Sequence, residues 1–208
     1  MIVVVDYGRG NLFSLSQALH HVGAEFEVTC DARSIESADK IILPGVGAFG
    51  DCMNGLKSRD LVGPLLAAVG RGIPLLGICV GCQILLEAGE EFGHQIGLGL
   101  IPGTVRRLPD PRKDDDDAIR IPNVGWRQLT IVKVGPLFAG VNEGTMMYFV
   151  HSFAPVPARQ QDVAASIEVN GTQTAIAIQS GHTYGVQFHP EKSGVAGLAL
   201  LRRFTKLH

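Results

Sequence analysis

A cysteine at the end of a short apolar run has the setting that most favours chemistry in this sequence. Residues 75–78 are typical of a buried strand, and Cys79 follows them directly. Residues 83–88 then have a composition that predicts a helix. A thiol just before a helix N-terminus meets partial positive charge, which favours the thiolate, and the flanking Gly77 and Gly81 would let a substrate come close. The pattern predicts a nucleophile on a strand–turn–helix elbow.

A cysteine nucleophile needs a base and a group that orients the base. The chain has seven histidines, and His189 differs from the others because it follows the predicted strand 183–188 and precedes Pro190, which stiffens the turn. Glu191 can turn back and accept a hydrogen bond from the imidazole, which would fix the tautomer. From spacing alone, a strand-end histidine bonded to backbone is an equally good interpretation.

The stretch Pro44-Gly45-Val46-Gly47 follows another predicted strand, residues 40–43. Its two glycines free the backbone to present N–H groups, as an oxyanion hole requires. An ordinary glycine-rich strand–helix turn explains the same residues. A phosphate-binding loop is excluded because no Gly-Lys-Ser/Thr follows.

Two other features invite redox or metal interpretations. Cys79 and Cys82 have the C-x-x-C spacing of a thioredoxin-like redox pair, although Cys82 is also a small apolar residue suited to helix packing. Zinc is disfavoured because there is no second C-x-x-C. The acidic run 114–117 lacks the spacing of a calcium-binding EF-hand. The sequence therefore predicts no metal site.

Strands and helices alternate through the first half of the chain, which predicts an α/β fold with a mainly parallel central sheet and helices on both faces. Asp6, Gly45 and Cys79 fall at the carboxyl ends of strands, where such sheets bind ligands. Residues 50–69 predict two helical pieces that break near Gly63-Pro64. After residue 97 the candidates are short strands, which predict an additional antiparallel region. The last helix, 193–205, has a predicted buried stripe of Val195, Leu198, Leu201 and Phe204.

Length and charge restrict the class of protein. The 208 residues predict a single domain, and no linker divides them. A net charge of −2 gives no electrostatic reason for binding nucleic acid or membrane. No apolar run is long enough to span a bilayer, and the N-terminal run lacks the basic region of a signal peptide. We therefore expect a cytoplasmic protein whose four cysteines are reduced.

Two motifs together resemble the class I (triad) glutamine amidotransferases. They are residues 77–83, which are similar to the family's nucleophile elbow, and residues 185–191, which match its second motif. Further stretches resemble the glutaminase subunits of imidazole glycerol phosphate synthase: residues 6–12, 44–50, 125–126, 148–152 and 191–193. The resemblance covers nearly the whole chain in the right order, and it implies the single-domain class I amidotransferase fold over residues 1–208.

The resemblance implies hydrolysis of glutamine without a cofactor. Cys79 would attack the side-chain amide, His189 would take the thiol proton and protonate the leaving ammonia, and Glu191 would orient His189. The resemblance assigns the oxyanion-binding N–H groups to Val80 and to Val46 or Gly47. It assigns contacts with glutamine to Gly47, Gln83, His151, Ser152 and Phe153.

The resemblance also implies a partner. Members of this family pass ammonia to a (β/α)8-barrel cyclase subunit in a heterodimer. The cyclase converts a phosphoribulosyl aminoimidazole-carboxamide nucleotide into imidazole glycerol phosphate and an aminoimidazole carboxamide ribotide, a step of histidine biosynthesis. The positions that match the interface with the cyclase are Asn11, Asn123, Trp126 and Lys192.

Three residues depart from the family pattern. Cys82 replaces a methionine, Asn123 replaces a histidine, and Arg127 replaces an asparagine. The first departure keeps a redox module built on Cys79 and Cys82 as an alternative function. The glutaminase subunits of pyridoxal phosphate or anthranilate synthesis are a second alternative, because several amidotransferases share the two main motifs.

Overall fold

The structure is a computed structural model that describes residues 1–111 and 118–207. A large sheet forms its centre, and the first part of that sheet is parallel. Its parallel strands are β1 (Ile2–Val5), β2 (Phe26–Thr29), β3 (Lys40–Gly45), β4 (Leu75–Cys79) and a late strand, β14 (Thr183–Val186). They lie in the order β2-β1-β3-β4-β14.

The central sheet continues with antiparallel strands to a total of eight in the described chain. These are β9 (Thr130–Ile131), β12 (Val163–Val169) and β13 (Thr172–Ser180), and they extend the order as β14-β13-β12-β9. β1 and β4 are buried at every position, because apolar residues such as Val4 and Leu76 face covered surfaces on both sides of the sheet. The continuous apolar runs in the sequence reflect this double coverage.

The helices alternate with the parallel strands as expected. They are α1 (Leu12–His21), α2 (Ala32–Glu36), α3 (Phe49–Lys57), α4 (Val62–Gly70), the single turn α5 (Val80–Gln83) and α6 (Gly194–Thr205). No helix within the described ranges is long and apolar enough to cross a membrane.

Two smaller sheets carry the remaining strands. A four-stranded sheet has the order β11-β7-β5-β6, from β5 (Leu86–Gly89), β6 (Gln95–Ile96), β7 (Ile101–Arg107) and β11 (Phe153–Pro157). An antiparallel pair joins β8 (Asn123–Gln128) to β10 (Met146–His151). The predicted fold class, α/β with a mainly parallel sheet and an antiparallel region, is therefore confirmed.

Three local predictions were wrong. Residues 83–88 do not form a helix, because α5 ends after one turn and β5 pairs with β7 from Leu86 onward. The break between α3 and α4 falls at residues 58–61, and Pro64 lies in the first turn of α4, where its missing N–H costs nothing. On α6, Val195 is 85% exposed, and Gly197 faces inward instead. The acidic run 114–117 lies outside the described residues.

Candidate active site

The parallel register brings three distant sequence segments to one edge of the sheet. β4 lies between β3 and β14, and Gly45 at the end of β3 is paired with Cys79 at the end of β4. β14 ends at Val186, three residues before His189. The segments that carry Gly45, Cys79 and His189 therefore converge because adjacent parallel strands end at the same edge.

Cys79 occupies a strained backbone conformation at the elbow between β4 and α5. Its φ is +57° and its ψ is −115°, which a residue with a side chain rarely adopts. Such strain is characteristic of functional positions, and here it holds a side chain at the tip of a tight strand-to-helix turn. Because α5 is a single turn, its dipole is smaller than the predicted helix would have provided.

The glycines around the elbow allow neighbouring main-chain segments to pack against each other closely. A Cβ on Gly77 would overlap the backbone of Gly81, and a Cβ on Gly81 would overlap the Leu43 carbonyl. A Cβ on Gly45 would in turn overlap the Gly81 nitrogen. The expectation that Gly77 and Gly81 make room for a substrate was wrong, since both positions are filled by neighbouring main chain.

His189 and Glu191 form a buried hydrogen-bonded pair. His189 Nδ1 lies 2.8 Å from Glu191 Oε1, and the side chains are only 4% and 2% exposed. The carboxylate accepts, so Nδ1 carries the proton. His189 Nε2 is buried and has no hydrogen-bond partner within the described ranges. The imidazole is therefore oriented at one nitrogen and free at the other, as a proton-transfer group must be.

The charge state of His189 depends on Cys79 and Glu191. Burial alone would lower its pKa, but the neighbouring Cys79 sulfur and the Glu191 carboxylate outweigh burial and raise the pKa to about 10. The sulfur acts on the ring from close by without completing a geometrically good hydrogen bond to Nε2. At neutral pH the ring is therefore an imidazolium.

A cavity of about 500 Å³ opens over Cys79 and His189. Of the residues expected from the sequence, it is lined by Asn11, Val46, Gly47, Cys79, Val80, Gln83, His151, Ser152, Phe153, His189 and Lys192. Glu191 lies behind His189 and does not line it. The wall also contains three residues that the sequence did not identify, Glu91, Pro122 and Val150.

Two glutamine side chains connect the elbow to β11. Gln187 Nε2 donates to the Cys79 sulfur at 3.8 Å, and Gln83 Nε2 donates to Gln187 Oε1 at 2.9 Å. Gln83 Nε2 also donates to the Phe153 carbonyl at 3.0 Å. Gln187 is fully buried, and its position between the strand and His189 gave no separate signal in the sequence.

The segment expected to supply oxyanion donors is held from several sides. Gly47 has φ of +92° and lines the cavity beside Val46. The Cys52 thiol donates to the Val46 carbonyl at 3.6 Å, and the Phe49 N–H donates to Glu91 Oε2 at 2.8 Å. The main chain from residue 46 to residue 49 is therefore fixed at both ends while its middle faces the cavity.

His151 is a neutral side chain in the cavity wall. Burial is the main cause that lowers its pKa, to about 4, with smaller contributions from His189 and Arg127, although its bond to the Phe153 carbonyl acts in the opposite direction. Its Nδ1 lies 2.9 Å from that carbonyl and its Nε2 lies 2.9 Å from the Asn123 amide nitrogen. The ring therefore adds no positive charge to the cavity at neutral pH.

Cys82 lies in the core. It is fully buried, its sulfur packs against Gly185, and burial raises the pKa of its thiol well above the ordinary value. Cys79 and Cys82 are not bonded to each other. These contacts favour the packing interpretation of Cys82 over a redox pair.

Three of the four residues expected at a partner interface lie at the surface or line the cavity, and the fourth is buried. Trp126 is 45% exposed and packs edge-on against the Tyr148 ring. Lys192 Nζ lies over the same ring, 5.9 Å from its centroid. Asn11 and Lys192 also line the cavity. Asn123 is fully buried against His151, so the expectation of a surface position for it was wrong.

Known proteins resemble this chain over nearly its whole length. The sequence profile of the family "Glutamine amidotransferase class-I" matches residues 3–207. The imidazole glycerol phosphate synthase subunit HisH of Moorella thermoacetica is 45% identical over 206 residues, which cover 99% of this chain and 94% of that protein. The HisH subunit of Syntrophotalea carbinolica is 43% identical over 204 residues, 98% of each chain.

A solved structure supports the fold. The structure of PurLQS from Thermotoga maritima aligns with a TM-score of 0.74 at 22% identity, over 98% of this chain and 96% of that chain. At that identity the likeness concerns the fold alone. From the family profile and the relatives, the chain belongs to the class I glutamine amidotransferases and, within them, to the HisH family of imidazole glycerol phosphate synthase subunits.

Proposed function

We propose that residues 1–208 form one glutaminase domain that hydrolyses glutamine through Cys79, His189 and Glu191 and delivers the ammonia to a (β/α)8-barrel cyclase subunit. One observation carries the proposal. His189 is bound at Nδ1 by Glu191 and is free at Nε2, beside a strained Cys79 at the floor of a cavity. A nucleophile, a base and an orienting carboxylate are the three parts that this chemistry requires.

The reaction uses the sulfur of Cys79 as the nucleophile and the imidazolium of His189 as the proton donor. The sulfur attacks the side-chain amide carbon of glutamine, and backbone N–H groups of Val80 and of Val46 or Gly47 hold the resulting oxyanion. His189 gives its proton to the nitrogen, the C–N bond breaks, and ammonia leaves. Water, deprotonated by His189, then attacks the thioester, so that glutamate and the thiol are released.

The cavity offers complementary groups for the remainder of glutamine. Gly47, Gln83, His151, Ser152 and Phe153 lie around it, as the family pattern predicts for glutamine contacts. Glu91 adds a carboxylate to a wall that otherwise lacks one among the described lining residues. An ammonium group is the part of glutamine that such a carboxylate attracts, so we assign the α-amino group to Glu91.

The cyclase would dock on the surface formed by Trp126, Tyr148 and Lys192. An exposed tryptophan beside a tyrosine and a cation is typical of an interface centre. Lys192 reaches from this surface to the cavity, so a partner bound there would lie next to the site where ammonia is released. The cyclase would use the ammonia to make imidazole glycerol phosphate and an aminoimidazole carboxamide ribotide, in the cytoplasm.

Steady-state release of glutamate, measured with and without a purified barrel cyclase and its nucleotide ligand, tests the proposal. We expect low activity alone and a large increase with the cyclase, because activation would require the oxyanion turn at Val46 to be remade. Cys79→Ala should abolish release and leave docking intact, whereas Cys30→Ala, at an exposed cysteine outside the cavity, should change neither. Equal rates with and without the cyclase would refute activation by the partner. Capture of a different native partner would refute the assignment of the cyclase as the partner.

A further inference from the structure

The wall of the cavity contains a polar network built on two residues that depart from the family pattern. Arg127 Nε donates to Asn123 Oδ1 at 2.9 Å, and the Asn123 amide nitrogen lies 2.9 Å from His151 Nε2. His151 Nδ1 lies 2.9 Å from the Phe153 carbonyl oxygen. Asn123 is fully buried and His151 is 6% exposed, so water does not substitute for these partners.

The direction of every hydrogen bond in this network is determined by its two ends. A guanidinium only donates, so the Asn123 oxygen faces Arg127 and its NH₂ group faces His151. Nε2 of His151 must therefore accept, which leaves the proton on Nδ1. The Phe153 carbonyl at the other end only accepts, and it receives that proton. Both ends thus require the same tautomer of His151.

We propose that Asn123, oriented by Arg127, is a positioning residue that keeps His151 a neutral Nδ1–H donor, so that His189 is the one positively charged imidazole among the described residues that line the cavity. The inference rests on the proposed glutaminase function. A protonated His151 would turn an N–H toward the Asn123 NH₂ group, and the network would lose its buried bond.

Neutrality matters because the two imidazoles share one cavity. His189 and Arg127 are the titratable and charged groups that act on His151 from the surrounding elements, and both oppose a second positive charge. A second proton on His151 would destabilise the imidazolium of His189, which lines the same cavity. The Phe153 carbonyl also accepts a hydrogen bond from Gln83, which donates in turn to Gln187, and Gln187 donates to the Cys79 sulfur. The Nδ1–H of His151 therefore helps to fix the carbonyl at which this chain of hydrogen bonds begins.

Asn123→Asp provides a sharp test, because a carboxylate cannot donate to Nε2 and instead attracts a proton there. Nitrogen-15 NMR of the imidazole rings, on full-length protein without substrate, reports tautomer and charge. The His151 signal is assigned by its loss in His151→Gln. We expect a neutral Nδ1–H ring in the native chain across about pH 5.5–8.5 and an imidazolium in Asn123→Asp near pH 6.5.

Kinetics of the complex with the cyclase give a second measurement. Asn123→Asp should add an ionisation to the pH profile of kcat/KM, with a loss of about tenfold at low pH that is regained as His151 deprotonates. Arg127→Met, at a half-buried position, should also raise the pKa of His151, because the Asn123 amide can then rotate and the nearby positive charge is removed. Asn54→Asp and Arg202→Met, exposed on α3 and α6, are the matched controls.

An imidazolium or an Nε2–H ring in the native chain at about pH 6.5 would overturn the proposal. So would unchanged titration of His151 in both variants. The NMR result needs no turnover, so it separates this proposal from the function on which it rests. Absence of glutamine hydrolysis by the native complex would refute only the proposed glutaminase function. The NMR measurement would still determine the tautomer of His151.

Discussion

Gly81 lies so close to the Leu43 carbonyl that a methyl group on its α-carbon would overlap the oxygen. The contact joins the turn after the nucleophile to the strand that leads into the oxyanion segment. One backbone contact therefore sets the position of the nucleophile elbow relative to the oxyanion segment. The position of Cys79 relative to Val46 depends on residue 81 being a glycine.

Gly81→Ala should displace the elbow and abolish glutamate release. Overpacking against main chain that cannot move aside should also lower the free energy of unfolding by about 1–3 kcal/mol. Urea titration followed by circular dichroism measures the stability. Gly63→Ala, on α4 where a Cβ meets nothing within 4 Å, is the control, and it should stabilise the chain by up to about 1 kcal/mol. Full activity of Gly81→Ala would contradict the packing argument.

The pair of His189 and Glu191 should make stability depend on pH. The folded-state pKa of His189, about 10, lies above the ordinary value of 6.5, so its stabilisation is fully present below the unfolded pKa and is lost as pH rises through about 10. Glu191→Gln should therefore be less stable than the native chain by about 2 kcal/mol at about pH 6, and the difference should vanish near pH 10.

Urea midpoints of both proteins across this range measure the effect. Glu168→Gln, at an exposed position on β12, controls for the loss of one negative charge. A difference that stays constant from pH 6 to pH 10 would show that Glu191 acts on folding without the charge of His189.

Much of the parallel part of the fold could be predicted from the sequence. Strands covered on both faces leave uninterrupted apolar runs, so the predicted strand 75–78 lies close to the bounds of β4. The rule that parallel strands end at one edge placed Gly45 and Cys79 together, and the structure pairs these two residues. Residues 83–88 have the composition of a helix, yet β5 begins at Leu86. The sequence could not predict this strand, because it forms by pairing with Ile101, which is distant along the chain.

Contacts between distant segments also determined which site residues were missed. Glu91 joins the site through the Phe49 N–H, 42 residues away in the sequence, and nothing in its neighbours indicates this. Asn123 matched an interface position, yet its partner is a histidine 28 residues later on the paired strand. Local pattern identifies residue types suited to chemistry, whereas strand pairing decides which of them meet.

Cys82 should be inert in the folded chain. Burial disfavours its thiolate, and the side chain has no exposed surface, so iodoacetamide should not modify it in native protein. Exposed Cys30 should react first, and Cys79 should be protected by a bound glutamine analogue. Mass spectrometry of digested peptides measures each site, with urea-unfolded protein as the control in which all four cysteines react. A native disulfide between Cys79 and Cys82 after mild peroxide would revive the redox alternative.

Trp126→Ala should weaken binding of the cyclase without unfolding the chain. Loss of a partly exposed tryptophan at an interface centre typically costs about 2–4 kcal/mol of binding free energy. Isothermal titration with the purified cyclase measures the affinity, and thermal unfolding of the isolated chain verifies the fold. Leu66→Ala, at a position of similar exposure on α4, should bind normally. Unchanged affinity of Trp126→Ala would place the interface elsewhere.

Glu91 has two roles that separate substitutions can distinguish. Its Oε2 accepts the Phe49 N–H at the start of α3, and its charge faces the cavity where the α-amino group of glutamine would lie. Glu91→Gln keeps an acceptor for Phe49 and removes the charge, so KM for glutamine should rise about tenfold or more while kcat changes little. Glu91→Ala also releases the oxyanion segment, so kcat should fall as well. Initial rates of the complex at varied glutamine separate the two parameters, and equal effects of both variants on kcat would show that the charge, and not the anchor, governs the turn.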